Sequence, residues 1–165
     1  MTLRTSRILL VAAVALFYTL VLFNNLTDYG SNYMFVHHVL LMDTTFPGNH
    51  GLWRAIHPVT VQMICYDSII VWEAMVTAAM WIGCIVMLRA LRKTAAEFDK
   101  AKRIAIAALT LGLLLWFFAF LTVGGEWFLM WQSKIWNGQD TAARMFETTG
   151  VVLLLLAMPE RDEQP

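Results

Sequence analysis

A chain of 165 residues that is 59% hydrophobic, 15% charged and 13% aromatic, with seven Trp and a mean hydropathy of +0.60, lies outside the range of ordinary soluble domains. Twelve Lys and Arg against twelve Asp and Glu leave no net charge and no basic surface for nucleic acid. Spans of about 20 residues each would use up this length as one compact membrane domain, residues 1–165, without a separate soluble part.

The first predicted span covers about 8–26 and is preceded by Arg4 and Arg7. No small-x-small cleavage site follows Phe23, so the segment reads as an uncleaved signal anchor. Residues 27–57 then form a long outer loop. Within it, residues 32–42 read as a short amphipathic helix with Met34, Phe35, Val39 and Met42 on its apolar face. Residues 43–51 are turn chemistry, and Trp53-Arg54 brings an aromatic and a cation back toward the membrane, so the loop is expected to close as a lid.

A second span, about 58–90, starts at Pro58, which suits a first helical turn, and ends against Arg89, Arg92 and Lys93. Gln62, Tyr66 and Glu73 would share one face of it. Thr94 and Glu97 have capping-box spacing and start a third helix over about 94–130. Its stretch 104–123 holds no charge, and 20 residues rising about 1.5 Å each cover the roughly 30 Å of hydrocarbon. Glu126, Trp127, Trp131 and Trp136 therefore reach a membrane surface together, the three tryptophans as an interfacial belt.

A fourth span is predicted over about 140–158, with Asp140 as cap, Pro159 as stop, and Arg144 close enough to Glu147 to offset part of its charge. The expected fold is all-α: a polytopic four-helix transmembrane bundle with an extracytoplasmic loop carrying a short amphipathic helix. Arg4 and Arg7, the six Lys and Arg between residues 89 and 103, and Arg161 make nine cations on one side. Arg54, Lys134 and Arg144 make three on the other. The positive-inside rule puts the nine, and both termini, in the cytoplasm.

From that boundary Glu147 lies roughly 16 Å, Glu73 roughly 22 Å and Glu126 roughly 33 Å up at the helical rise. A carboxylate at membrane depth costs about 2.5–3.5 kcal/mol on insertion scales, so it faces the protein interior, is protonated or holds a cation. Glu73, Glu126 and Glu147, with Arg54, Arg144 and Tyr66, form the candidate polar cluster of the outer half. Arg54 is the natural counter-ion for Glu73 or Glu126. A purely structural reading instead pairs Glu147 with Arg144 and bonds Glu73 to Tyr66 or a neighbouring helix.

His37 and His38 diverge by about 100° on a helix, and no His lies on a span where a bundle haem would need one. A surface metal site from His37 or His38 with His57 and an acid such as Asp43 or Glu126 competes with solvated loop histidines. No cofactor is expected. Cys65 and Cys84, about 28 Å apart along one helix, cannot join.

The run Phe35-Val36-His37-His38-Val39 with Met42-Asp43-Thr44, Trp53-Arg54, Glu73, and the segment 124–133 followed by Trp136-Asn137-Gly138-Gln139 resemble a bacterial domain-of-unknown-function family of predicted small integral membrane proteins. The resemblance covers nearly the whole chain. It implies a bacterial inner-membrane location and carries no activity, substrate or cofactor with it.

Three functions fit these residues. The first is a non-enzymatic accessory or structural subunit, whose small-residue and aromatic helix faces pack on a membrane-protein partner or a second copy within the bilayer. The second is ion- or proton-linked transport through Glu73 and Glu147, which lacks an internal repeat or a broken mid-span helix in its favour. The third is a metal- or cofactor-binding membrane enzyme with its site at the outer face.

Overall fold

The computed structural model describes residues 2–160, and every regular element among them is helical. Helix α1 spans Thr2–Thr27, α2 Tyr29–Leu41, α3 Val59–Arg89, α4 Ala95–Ala101, α5 Arg103–Leu114 and α6 Gln139–Ala157. Single 3-10 turns lie at Leu52–Arg54 and Met130–Gln132, and α5 runs on as a π-helical stretch, Leu115–Trp127.

Local chemistry explains most of these boundaries. Pro58 caps α3 where its fixed φ and missing N–H are tolerated. At α4 both halves of the capping box form: Glu97 N–H donates to Thr94 Oγ1, and Thr94 N–H donates to Glu97 Oε2 at 3.1 Å. Helix α1 begins six residues ahead of the predicted span. Arg4 and Arg7 do not end it, because both guanidinium groups find acceptors at the same end of the bundle. In α2 the buried side is Val36, Val39 and Leu40, while Met34 is 40% exposed, so the apolar face is rotated from the expected one.

Three helices among the described residues are long and apolar enough to cross a membrane, not the expected four: Thr2–Thr27, Val59–Arg89 and Ala95–Trp127. The fourth helix forms, but Asp140, Arg144 and Glu147 fall within its 19 residues and lower its apolarity. Nor does Asp140 cap it. Gly138 is the N-cap, with Asp140 in the first turn, where its charge favours the positive end of the helix dipole. The Arg144–Glu147 pair does not form either: Arg144 Nη2 donates back to Thr141 Oγ1 at 3.3 Å. Helix α6 still runs the height of the bundle, burying Ala142, Thr149, Val152 and Leu156 against α5, the π-helical stretch and α1.

The core joins α1, α3, α5 and α6 around Tyr18, Met80, Leu109, Leu115 and Leu156. Small residues set how closely the helices approach. At Gly83 a Cβ would stand 2.7 Å from the Ala105 backbone nitrogen, so α3 and α5 cross where neither carries bulk. Gly112 leaves room for the Tyr18 phenol, whose oxygen accepts from Trp116 Nε1 at 2.7 Å.

Charge is buried where the chain's two described ends meet. Glu160 pairs with Arg7 and lies 3.3 Å from Arg4 Nε; the Arg7 and Glu160 side chains are only 4% and 5% exposed. Lys102, at the joint between α4 and α5, reaches Asp99 at 2.6 Å and donates to the Met158 carbonyl at 2.7 Å. Arg4 also donates to the Lys93 carbonyl at 2.6 Å. These bonds place the starts of α1 and α4 beside the ends of α3 and α6. Arg161, which entered the charge count, lies outside the described residues.

Candidate functional site

The opposite end carries the polar and aromatic residues, arranged as a hydrogen-bonded centre and an apolar cavity. Gln62, Tyr66 and Glu73 do share the buried face of α3, at 0%, 2% and 1% exposure. The last turn of α1 joins two of them, Tyr66 and Glu73. Asn25 Nδ2 donates to Glu73 Oε2 at 2.7 Å, and the Tyr66 hydroxyl donates to Asn25 Oδ1 at 3.1 Å. One amide thus serves a carboxylate and a phenol at once, which suits its donor and acceptor ends. Asn25 is the member of this centre that the sequence reading did not single out; an amide in the last turn of a span is itself a signal, since it must find a protein partner.

Above this centre α2 is tied down by Gln62. Its Oε1 accepts from the Tyr33 hydroxyl at 3.1 Å and from His37 Nδ1 at 2.7 Å, which assigns the Nδ1–H tautomer, and its Nε2 donates to the Ile56 carbonyl at 2.7 Å. Ile56 N–H returns to the Leu40 carbonyl at 2.9 Å. The loop closes further through Thr44 Oγ1, which donates to Ser133 Oγ at 2.8 Å, and through Phe46 N–H, which donates to Gln132 Oε1 at 3.0 Å. Residues 42–57 therefore clasp the 130–136 segment.

The loop end is also where stacked rings gather. Trp127 packs edge-on to Trp53 at 5.8 Å, Trp131 to Phe46 at 5.7 Å, and Trp136 stacks on His38 at 4.6 Å. Tyr29 donates its hydroxyl to Asp67 at 2.8 Å; burial and that carboxylate raise its phenol above the ordinary value of 10.0.

The other predicted site residues do not converge. Glu126 and Glu147 are exposed on separate elements, and Arg144 is exposed on α6. Arg54 turns to aromatic rings, lying 5.9 Å from the Trp53 centroid and 5.5 Å from that of Trp127. Of the histidines, His37 serves Gln62, His38 bonds Asp43 at 2.7 Å, and His57 is exposed. Among the described residues no three His, Cys, Asp or Glu side chains come together as a metal-ligand set.

Between α2, α3 and the π-helical stretch lies a cavity of about 580 Å³ with an almost wholly apolar lining. Its walls include Phe35 and Val39 from α2, Ile69 and Trp72 from α3, and Phe120 and Trp127 from the third. The π geometry is explicit in Phe128 N–H donating five residues back to the Val123 carbonyl at 3.0 Å. Directly beyond it Leu129 takes a left-handed φ of 54°, and α2 ends on Met42 with the same φ. Both are unfavourable for residues with large side chains, and π-helical turns and such backbone outliers concentrate at functional sites.

The model of the family described as predicted small integral membrane protein (DUF2165) matches residues 3–159. No curated protein and no solved structure matches the chain. With its match running through all six helices, the chain belongs to that family of integral membrane proteins of unassigned function.

Proposed function

We propose that this integral membrane protein is a non-enzymatic accessory subunit of a membrane assembly, and that α6 is the face it turns to its partner. The observation that carries the reading is Glu147. Its side chain is exposed about 16 Å along α6 from Met158, with no hydrogen bond or ion pair from its carboxylate among the described residues. Arg144 is exposed one turn away. A charge facing lipid at that depth costs about 2.5–3.5 kcal/mol, so ionisable residues there ordinarily face protein. A partner helix carrying a cation opposite Glu147 and a carboxylate or carbonyl opposite Arg144 removes that cost.

Two other polar groups of the core have partners within the chain. Glu73 is bonded to Asn25, and Tyr18 to Trp116. Transport through paired carboxylates would need Glu73 and Glu147 on one path, and the first faces α1 while the second faces outward. The cation-rich end, from Arg4 and Arg7 to the 89–103 segment, supports an inner-membrane orientation with the termini in the cytoplasm and the 42–57 lid outside.

Affinity purification in mild detergent with mass spectrometry tests the subunit reading. A defined stoichiometric partner should come with the wild-type chain, and Glu147→Leu should lower its recovery about tenfold or more, as expected for a buried interfacial charge. A monodisperse single species, or equal recovery with Glu147→Leu, overturns the proposal. For orientation, a reporter fused after Pro165 should respond as cytoplasmic, and a response from the far side would reverse the arrangement.

A further inference from the structure

We propose that the cavity under the lid binds one anionic membrane lipid, with an acyl chain in the apolar slot and its phosphate at Arg54. The volume of about 580 Å³ falls within the roughly 300–1,000 Å³ of small-molecule sites. The mouth faces the hydrocarbon: the lining residues Ile64, Phe118 and Trp127 are 59%, 53% and 49% exposed, on the outward sides of two membrane-crossing helices. Such a slot takes a chain from the side without opening the bundle.

The headgroup assignment rests on what borders the slot. Trp127 forms one edge of it, and the Arg54 guanidinium lies over that ring at 5.5 Å. Arg54 Nε donates to the Gly51 carbonyl at 3.2 Å, and no carboxylate pairs with the guanidinium among the described residues. Its terminal N–H groups are the donors that suit a phosphate in a bidentate grip. Gly51 is part of the same construction, since a Cβ there would collide with Arg54 Nη2 and push the guanidinium off Trp127. A fixed cation at the rim of an apolar slot complements an amphiphile with a negative head, which separates this reading from a slot for a neutral chain. It is independent of the partner proposed for α6, because Arg54 sits in the 3-10 turn Leu52–Arg54 and the cavity is walled chiefly by α2, α3 and the π-helical stretch.

Native mass spectrometry on the full-length protein, titrated with phosphatidylglycerol or phosphatidylcholine of the same chains, tests the proposal. One phosphatidylglycerol should bind about fivefold tighter than one phosphatidylcholine, the preference expected for a single basic residue beside an anionic lipid. Arg54→Gln and Gly51→Ala, both on the surface loop, should bring the two lipids level, and Ala119→Phe should weaken both by filling the slot. Equal binding of the two lipids by the wild-type chain, a preference unchanged in Arg54→Gln, or a dimer of the chain appearing in place of the lipid adduct overturns it. Should Ala119→Phe fail to fold, the two loop variants decide the outcome.

Discussion

The end of the bundle that gathers residues 2 and 160 buries its charges in ion pairs, whereas the opposite end holds together by stacked rings and by hydrogen bonds with no enclosed ion pair among the described residues. At the first, Arg7, Lys102 and Glu160 are almost fully enclosed, so each depends on the others for its solvation. At the second, Asn25, Gln62, Thr44 and Ser133 distribute amides and hydroxyls among many partners. Losing one ion from a buried set strands its partner, while losing one neutral bond leaves groups that rearrange at lower cost. The paired end is therefore a clasp, and the loop end is where a lid and a cavity can exist without undoing the fold.

That contrast is sharpest at Glu160. Glu160→Ala should destabilise the protein by about 3–5 kcal/mol, the usual consequence of leaving a buried cation unpaired, read as a lowered midpoint in detergent thermal unfolding. A change under about 1 kcal/mol would erase the distinction between the two ends. At the other end Asn25→Leu should cost about 1–3 kcal/mol, because Glu73 and Tyr66 lose their shared partner, while Glu73→Gln, which keeps an acceptor toward Asn25, should cost less than Asn25→Leu. If the two variants proved equal, the carboxylate charge itself would be holding the centre. The smallest effect belongs to Tyr29. Its folded phenol titrates above the unfolded value, so its contribution is fully present below about pH 10.0 and is lost as pH rises through the folded value. In phenolate absorbance the Tyr29 transition, assigned by its loss in Tyr29→Phe, should move to lower pH when Asp67→Asn removes the facing carboxylate.

How much of this could be read in advance depended on how local the cause was. Pro58 and the Thr94–Glu97 box mark helix starts through neighbours within one turn, and both stood in the sequence. So did the shared face of Gln62, Tyr66 and Glu73, which needs only helical periodicity. The clasp did not, because Arg4 and Glu160 are 156 positions apart and nothing near either one points to the other. Those cations were legible only as a topology signal. The π-helical stretch was hidden for a different reason: Leu115–Trp127 is apolar on nearly every side, so no polar stripe reveals that its turns are wider. With it went the cavity. In α6 the favourable spacing of Arg144 and Glu147 pointed to a pair, and the Thr141 hydroxyl, equally three residues away on the other side, took the guanidinium instead.

The clasp also separates insertion from maturity. In the proposed orientation Arg7 and Lys102 would be bare cations while the nascent polypeptide is being threaded, free to steer it then. Once Glu160 and Asp99 have closed over them they are largely withdrawn from the headgroups. In that orientation, direction would be set early by an open strand and kept afterwards by packing, with the charges of Arg7 and Lys102 neutralised by then.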